Sequence, residues 1–466
     1  MTTDHPAPHS ESLSFRLAGL TTSVARATVA PAALEAARRL IQHAFGVCVA
    51  GSALRPSVIA RQALGHTPGP CLMFGSAAQH GAQDAAFANA IAGHASLLED
   101  AGPGGMLAGS HPATYVFPAA LAAAQERAAC GMDLLRAVCA AYETVDALGA
   151  IMPAEVAQRG FRPVSVLGPF GAAAAAGVLA GLSQTQLAAS YGLAANLSGG
   201  LNQGFVDGTM EPYLHPAFAA RNGLMAVRLV LAGCTASPHS LDGARGFFAS
   251  FAGRAPQRDL IDARLNPALR EWAVCRVGAK DYATCLYNQG TLALVQLQFP
   301  GGLAGDSIER ITLARPASGL HGLAAPGVAA PVPADANPLQ LQMSARFTTA
   351  AALLGRPVDS AAWFETAPAD GAALALASRV ELLTHDSPGI RIEVVLRDGK
   401  RELAQAGPQT ALVFSSDRIA AAFLQRVHPL LGDRAAQAGQ LLAALPQLTS
   451  LDELTRLFHS HTPENP

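Results

Sequence analysis

The sequence predicts a mainly α-helical protein in which a large all-helical domain carries an inserted α+β lid domain. Three observations support this fold class. Apolar residues recur at helical spacing through roughly the first 265 residues, segments of strand composition begin only after about Asn266, and helical spacing returns after Asp417. The expected domains are residues 1–267, an inserted lid at 268–408, and a helical tail at 409–466 that completes the first domain.

The helices of the first domain are predicted from capping residues and from apolar spacing. Pro31 suits the first turn of one helix, and Ser183 with Gln186 forms a capping box ahead of another. The apolar stretch 166–182 contains several glycines and a proline, which favours a buried, closely packed helix over a membrane span. Apolar spacing predicts four further helices, at 84–98, 112–127, 132–151 and 215–231.

The lid is predicted from two runs with the β-branched composition of strands, at 307–313 and 390–396. The Asp-Gly pair at 398–399, directly after the second run, predicts a hairpin turn. The stretch 324–338 is rich in proline and alanine and predicts a loop. In the tail, Ser450 and the glutamate three residues later predict a capping box.

The composition argues against several kinds of partner. The 466 residues carry 32 basic and 34 acidic side chains, and a net charge of -2 offers no field for nucleic acid. Seven cysteines without a Cys-x-x-Cys pair indicate neither a zinc site nor a disulfide framework. His94 lies five residues before Glu99, not the four that would align a helical metal site, so no metal is predicted. The chain opens without a basic and then apolar segment, so we expect no secretory signal, no membrane association and a cytoplasmic location.

Lysine is the first candidate for chemistry. Of the 32 basic residues only Lys280 and Lys400 are lysines, and the rest are arginines. Lys400 follows the predicted hairpin turn and is expected to be solvated. A lysine amine can give up its proton whereas an arginine cannot, so Lys280 is a candidate acid–base group. Chance survival of one lysine in an arginine-rich sequence is the alternative.

A histidine is the second candidate. His111 follows a glycine-rich loop at 101–110 and precedes Pro112 at the head of an apolar helix. An imidazole beside a helix N-terminus can act as an acid or base near an anion. The alternative is that His111 only caps the helix. Glu99 and Asp100 precede the same loop and could perform acid–base work, although such a pair at a helix end is more often solvated.

Arg162 and Ser165 stand just before a glycine-opened helix. Together they offer a guanidinium, a hydroxyl and backbone N–H donors, a combination that suits a carboxylate. A nucleotide site is not indicated, because no glycine-rich phosphate-binding pattern follows a strand here. The alternative reading of Arg162 is an ordinary surface arginine.

Several segments together carry a family resemblance, and it covers most of the chain. They are Asn-Ala-Ile-Ala-Gly-His at 89–94, Ser-His-Pro-Ala at 110–113, Gly-Phe-Arg-Pro at 160–163 through 171–174, 214–223 and 241–247. In these segments the chain resembles the MmgE/PrpD family, whose members include methylcitrate dehydratase and cis-aconitate decarboxylase. The resemblance implies a helical domain with an α+β lid, a homodimer, no metal and no cofactor.

The departures from the family pattern carry further information. The decarboxylase-like members have an Asp-x-Asp-Asp-Thr run, a histidine, a lysine and a second histidine. In their places stand Leu-Leu-Glu-Asp-Ala at 97–101, Arg162, Pro212 and Cys285. His111 and Lys280 match the family. The resemblance therefore implies a site that keeps two proton-moving groups and lacks others expected for dehydration or decarboxylation.

One activity of the family fits this pattern: epimerisation of iminodisuccinate, an amino-linked dicarboxylate, by removal and return of an α-proton. His111 and Lys280 are the predicted acid–base pair, with Tyr287 as a substitute proton donor. The substrate carboxylates are expected to be bound by Arg162, Ser165, Gln203, Tyr213 and Asp100. A dehydratase or decarboxylase of a citrate-like or aconitate-like tricarboxylate, and a non-catalytic relative that binds polycarboxylates, are the alternatives.

Overall fold

A computed structural model of the protein describes residues 11–102, 110–266, 271–321, 327–407 and 416–459. These residues are mainly helical, which confirms the predicted fold class. They also form one four-stranded sheet and two short antiparallel ribbons, the first of β1 (Cys71–Leu72) with β2 (Gln79–His80) and the second of β3 (Asp100–Ala101) with β4 (Gly278–Ala279). Most of the glycine-rich loop before His111, part of the predicted loop at 324–338 and the start of the predicted tail lie outside the described residues.

The first region is built from helices that follow one another along the chain. They are α1 (Leu13–Arg26), α2 (Pro31–Ser52), α3 (Arg55–Leu64), α4 (Ala82–Ala95), α5 (Ala113–Glu126), α6 (Gly131–Ile151), α7 (Glu155–Gln158), α8 (Pro163–Leu179), α9 (Gln184–Asn196), α10 (Gln203–Asp207), α11 (Glu211–Leu231), α12 (Phe247–Ala252) and α13 (Arg258–Arg264). Pro31 occupies the first turn of α2, and the capping box at Ser183 is present, so both sequence predictions are confirmed.

Two predicted helix boundaries differ from the structure by three or four residues, and each difference has a local cause. Helix α4 ends at Ala95 rather than at residue 98, because Leu97 adopts a left-handed backbone conformation with φ of 52°. Helix α11 begins at Glu211, four residues before the predicted start, because Pro212 occupies its first turn.

Helix α8 is the buried, glycine-bearing helix that the apolar stretch predicted. It packs closely against α11, and a Cβ at Gly168 would lie 2.5 Å from the Cβ of Ala219. From the other side, a Cβ at Gly223 would lie 2.6 Å from the backbone nitrogen of Ala173. The small residues are therefore needed for the close approach of the two helices.

To cross a bilayer, a helix must be both long enough and apolar enough. No single described helix meets both requirements. The bent pair α2 and α3, whose axes meet at 84°, satisfies them jointly on length and composition alone.

The α+β region follows, and its strands form the only sheet of more than two strands among the described residues. Its elements are β4 (Gly278–Ala279), α14 (Gln289–Gln298), β5 (Ile308–Arg315), α15 (Ala317–Leu320), α16 (Pro338–Met343), α17 (Ala345–Leu353), α18 (Ala361–Thr366), α19 (Gly371–Ala377), β6 (Val380–Thr384), β7 (Ile390–Leu396) and β8 (Arg401–Ala406). The sheet order is β6-β5-β7-β8, with β5 and β6 parallel and the other pairs antiparallel. The predicted Asp-Gly turn joins β7 to β8, with Gly399 at φ of 85°.

Two hydrophobic cores underlie these regions. The first joins residues between Leu13 and Val277 with residues from Phe423 to Phe458 of the tail. The second lies mainly between Ala283 and Ala404 and also takes in Leu97 and other residues of the first region. The two regions therefore meet through apolar contacts beside the segment that follows α4.

The tail returns to the first region. It consists of α20 (Ser416–Leu431), α21 (Arg434–Ala443) and α22 (Asp452–Arg456). Helix α20 packs against α2, and the ring of Phe458 lies 4.9 Å from that of Phe45. The predicted capping box at Ser450 is wrong, because Leu451 is the N-cap of α22 and the Ser450 hydroxyl accepts instead from the Asp452 backbone N–H at 3.1 Å.

Candidate active site

A short antiparallel ribbon joins the two regions and creates the centre of the site. Its strands are β3 (Asp100–Ala101) and β4, with Asp100 opposite Ala279. The ribbon brings together Glu99, just before β3, and Lys280, just after β4, although 181 residues separate them along the chain. The backbone N–H of Lys280 also donates to the Glu99 carbonyl at 3.3 Å.

Lys280 and Glu99 form a buried ion pair in which Nζ donates to Oε1. Both residues are only 2% exposed. The other contacts of the Glu99 carboxylate are imidazoles, with Nδ1 of His94 and Nδ1 of His111 each 3.5 Å away. Burial alone would raise the pKa of Glu99, but Lys280 and the two imidazoles outweigh it and hold the pKa well below its usual range. Glu99 is therefore a buried carboxylate that stays ionised.

His111 stands at the head of α5 with its backbone in the left-handed region, at φ of 46°. Its Nδ1 lies 2.7 Å from the carbonyl oxygen of Asp100. Since a carbonyl can only accept, Nδ1 carries the proton and Nε2 carries the lone pair. Burial, reinforced by the charge of Lys280, lowers the pKa of His111 to about 3. At neutral pH this histidine is an uncharged imidazole with its lone pair on Nε2, which is the form required of a base.

Asp100 has partners within the protein for both of its carboxylate oxygens. Oδ1 accepts from the backbone N–H of Ala113 at 2.9 Å, and Oδ2 accepts from the hydroxyl of Tyr142 at 2.7 Å. The residue has no exposed surface, and burial raises its pKa to about 7. These two bonds fix the N-terminus of α5 and thereby position His111, and the substrate-binding role predicted for Asp100 stays a prediction.

Arg162 is the second cation of the site, and it is only 3% exposed. It is the N-cap residue of α8, and Nη1 donates to the Pro212 carbonyl while Nη2 donates to Nε2 of His94 at 2.7 Å. The guanidinium carbon lies 4.6 Å from the centre of the Phe205 ring. No carboxylate among the described residues forms an ion pair with Arg162, and burial lowers its pKa to about 10. It is therefore a buried cation without an ion-pair partner among the described residues, although Glu99 favours its charged form from a longer distance, and it is not a surface arginine.

Two histidines flank this guanidinium as acceptors. Since Arg162 donates to Nε2 of His94, the proton of His94 lies on Nδ1 and faces Glu99. His215, on α11, has Nδ1 at 3.4 Å from Nη1 of Arg162, which leaves its proton on Nε2. Burial lowers the pKa of His94 to about 4 and that of His215 to about 3, and the charge of Arg162 acts in the same direction on both. Both imidazoles are uncharged at neutral pH.

A cavity of about 320 Å³ opens beside these side chains, and Ser165 and His215 are among the residues that line it. Ser165 is 3% exposed, and its Oγ has no hydrogen-bond partner among the described residues. A Cβ at Gly200 would lie 2.3 Å from that oxygen, so only glycine allows the loop to pass here. Arg162 does not line this cavity but contacts His215, which does, and Glu211 is an acidic residue of the same lining. The predicted role of Ser165 in substrate binding stays a prediction.

Tyr213 and Gln342 connect the site to the α+β region. The Tyr213 hydroxyl donates to Oε1 of Gln342 at 3.2 Å, and Nε2 of Gln342 donates to the Ala283 carbonyl at 3.0 Å. The Tyr213 ring lies 6.2 Å from that of His94. Burial raises the pKa of Tyr213 above its usual range, so the phenol stays protonated. The wall of the site is therefore built from both regions.

The comparison with known proteins bears on this geometry. A family model described as the MmgE/PrpD N-terminal domain matches residues 16–259, which is more than half of the chain. The chain belongs to the MmgE/PrpD family. This family is largely enzymatic and includes dehydratases and related enzymes. A comparison with curated proteins gives no match.

The contacts described above join six side chains into what we call the catalytic cluster: Glu99, Lys280, His94, His111, Arg162 and His215. Two residues predicted for the site make no described side-chain contact with this cluster. Gln203 is exposed on α10, and its amide donates to the Asp207 carboxylate at 3.0 Å. Tyr287 lies in a short 3-10 turn, and burial raises its pKa to about 12. No described contact joins its hydroxyl to the other predicted residues, and its backbone carbonyl accepts from Arg315. The roles predicted for both side chains remain predictions, and the structure supplies no contact in their favour.

The site also contains residues that sequence reasoning missed. The sequence offers Glu99 for acid–base work but favours a solvated position for it, and His94 and His215 appear in family segments without an assigned role, His94 being considered besides as a metal ligand. Gln342 carries no local signal at all, because its function depends on contacts with residues far away in the chain. The two histidines could have been found from the MmgE/PrpD segments that contain them.

Within the described ranges, no group of three or more histidine, cysteine, aspartate or glutamate side chains is placed to hold a metal ion. The donors closest to such a set are already engaged, since Glu99 pairs with Lys280 and His94 accepts from Arg162. The expectation of an enzyme without metal or cofactor stays a prediction.

Proposed function

We propose that this MmgE/PrpD protein catalyses proton transfer at a carbon next to a carboxylate, and that its substrate is a small polycarboxylate. The specific reaction proposed is epimerisation of an amino-linked dicarboxylate such as iminodisuccinate. The reaction removes an α-proton and returns one to the opposite face. It changes no oxidation state and needs only acid–base groups and stabilisation of the developing negative charge.

The observation that carries the proposal is the buried, unpaired guanidinium of Arg162. A buried charge is costly unless an opposite charge compensates it, and no described carboxylate forms an ion pair with Arg162, because Glu99, which acts on it only through a longer-range interaction, is paired with Lys280. A substrate carboxylate is the natural partner, because a guanidinium can bind it in a bidentate manner. Ser165 and His215 line a neighbouring cavity, and His215 also contacts Arg162, so a carboxylate bound there would meet the Ser165 hydroxyl and the His215 imidazole.

The base in this scheme is His111. Its Nδ1–H is held by the Asp100 carbonyl, so its Nε2 lone pair is oriented by the backbone rather than by a mobile group. When Nε2 accepts the α-proton, the resulting imidazolium lies 3.5 Å from the Glu99 carboxylate, measured from Nδ1. This carboxylate stabilises the charged form only when it is formed, which is the requirement for catalysis. A positioned base contributes roughly 10²–10⁴-fold in rate.

The acid is the Lys280 ammonium, which returns a proton to the opposite face of the carbon. Each turnover in one direction moves a proton onto His111 and takes one from Lys280, and the reverse direction exchanges these roles. Glu99 contacts both groups, so it balances the charge in either state. The two acid–base groups come from different regions of the molecule, which explains why the site requires the β3–β4 ribbon.

The test is proton NMR of the purified enzyme with separate iminodisuccinate stereoisomers in D₂O. We expect deuterium to enter the α-position while the isomers interconvert, and we expect a folded His111→Ala variant to lose both signals by at least about a hundredfold. A Gln203→Ala variant serves as the matched control from outside the cluster.

Two other outcomes would exclude the proposed reaction, and a third would exclude only the assignment of its base. Loss of water or carbon dioxide from a citrate-like or aconitate-like acid would identify a lyase instead. Binding of these acids without exchange or turnover would identify a non-catalytic relative. Exchange that persists in the His111→Ala variant would leave the reaction class in place and remove the base.

A further inference from the structure

A second cavity, of about 480 Å³, lies on the first region away from the catalytic cluster. Residues at the ends of α1, α5 and α8 and at the start of α6 line it. Three arginines face it, namely Arg26, Arg127 and Arg136. We refer to it as the arginine cavity.

Three arginines against one acidic residue give the lining of the cavity a net positive charge. Its single acidic lining residue is Asp133, whose carboxylate accepts from the backbone N–H and the thiol of Cys130 at the start of α6. Glu126, next to Arg127 in the chain, pairs with Arg228. Among the described residues, none of the three cavity arginines takes part in an ion pair.

Positions at helix ends explain why two of the three arginines stand at the cavity. Arg26 lies in the last turn of α1 and Arg127 is the C-cap residue of α5, so each is favoured by the negative end of its helix. Arg136 has no such reason, because it lies in the second turn of α6, near the positive end of that helix. The three arginine side chains are exposed, so water and salt screen their mutual repulsion in the free protein, whereas an anion between them would be attracted by all three.

The backbone at the cavity is also unusual. Ala128, which lines the cavity next to Arg127, has φ of 49°, a conformation that is unfavourable for alanine. Within the described ranges only Leu97, His111 and Ala128 show positive φ without being glycine, and the first two belong to the catalytic segment. At Ala128 this conformation closes helix α5, because the N–H of Ala129 donates to the Ala124 carbonyl at 2.9 Å, so it shapes the rim of the cavity without itself indicating a ligand.

The arginine cavity is separate from the catalytic cluster. Helix α5 begins next to His111 and α8 begins next to Arg162, and both helices end at the cavity. With 14 and 17 residues they span roughly 21 and 25 Å at 1.5 Å per residue. A ligand in the cavity would therefore contact the far ends of the two helices that hold the catalytic residues.

We propose that the arginine cavity is a second binding site, which takes a small polyanion through Arg26, Arg127 and Arg136. Guanidinium groups bind carboxylates and phosphates in the same bidentate geometry, so the ligand is either a polycarboxylate or a compound with a phosphate group. The apolar wall, formed by residues such as Val178 and Leu182, leaves room for a carbon skeleton beside the anionic groups.

Calorimetric titration of the full-length protein with citrate and, separately, with pyrophosphate tests this site. The reference protein carries Arg162→Met, so that the catalytic cluster does not contribute a bound anion. We expect saturable one-site binding of at least one of the two anions, and the stronger ligand identifies the carboxylate or the phosphate source. Adding Arg127→Gln and Arg136→Gln should weaken that binding at least tenfold.

The matched control adds Arg245→Gln and Arg258→Gln, two exposed arginines outside the cavity, and should leave the affinity unchanged. Equal weakening in both sets of variants would reduce the effect to general charge and overturn the proposal. Binding that is not saturable at roughly millimolar concentrations of either anion would also overturn it, leaving an adventitious ion only. Because the readout is binding and not turnover, the result does not depend on the proposed epimerase activity.

Discussion

The catalytic cluster holds two buried cations in opposite settings. Lys280 is paired with Glu99, whereas Arg162 is surrounded by two neutral imidazoles and a carbonyl. Both are 2–3% exposed, so the difference lies in their partners and not in their depth. A paired cation stabilises the fold and its own charged form, whereas an unpaired one has its charge available for a ligand. The comparison therefore assigns proton transfer to the lysine side and substrate binding to the arginine side.

The largest effect is expected on the lysine side. Lys280→Met leaves Glu99 as a buried carboxylate without its cation, which should lower the free energy of unfolding by about 3–5 kcal/mol. Activity should fall by roughly 10²–10⁴-fold through loss of the acid. Urea unfolding and turnover measure the two losses separately.

The control for this variant is Glu99→Gln combined with Lys280→Met, which removes both charges. It should recover most of the lost stability without recovering activity. If Lys280→Met alone unfolds at the same urea concentration as the wild type, the ion pair does not stabilise the fold as described.

The next largest effect is a loss of stability in acid, which is expected from the buried histidines. Burial lowers the pKa of His94 to about 4 and that of His215 to about 3. Their neutral forms stabilise the folded state fully above the unfolded pKa of about 6.5, and that stability is lost as the pH falls towards the folded values. Each contributes about 1.4 kcal/mol per pH unit in that range.

Asp100 acts in the opposite direction, because its pKa is raised to about 7. Its contribution is full below the unfolded pKa of about 3.9 and is lost as the pH rises to about 7. The histidines of the cluster, including His111 at about 3, outnumber it, so net stability should fall between pH 6.5 and 5. Urea midpoints across this range should show a flatter slope in His215→Asn, and a slope that does not change would contradict the buried neutral state.

A smaller effect is expected on the arginine side. Arg162→Met removes an unpaired buried charge, so the loss of its hydrogen bonds is offset by the relief of desolvation, and stability should change little. Substrate binding should weaken by about 1.5–3 kcal/mol, the range for a charge-assisted hydrogen bond, which corresponds to a rise in KM of roughly ten- to hundredfold. Steady-state kinetics would contradict this assignment if kcat fell while KM stayed constant.

The smallest effect is expected from Gln203→Ala. The side chain is exposed and bonds only to Asp207 one helical turn away, so stability and KM should stay within about 0.5 kcal/mol of the wild type. A large rise in KM would show that Gln203 reaches the substrate after all, as the sequence analysis predicted.

The fold class and part of the site could be predicted from the sequence, but the pairing at the centre of the site could not. Helical periodicity and the Asp-Gly turn predict the fold class well, because both depend on neighbouring residues. Lys280, His111 and Arg162 could be singled out by residue type and local position. Their partner Glu99 could not, because a carboxylate at a helix end is usually solvated and the ribbon that buries it pairs segments 181 residues apart. Tertiary pairing of this kind has no local signature in a single sequence.

Deuterium exchange at the α-carbon of iminodisuccinate, followed at saturating substrate in the Arg162→Met and Lys280→Met variants, tests the division between the two cations most directly. We expect the Arg162→Met variant to exchange deuterium at close to the wild-type rate once substrate is saturating. In the Lys280→Met variant we expect exchange to be slower by roughly a hundredfold or more. The reverse result, with exchange retained in Lys280→Met and lost in Arg162→Met at saturation, would contradict it.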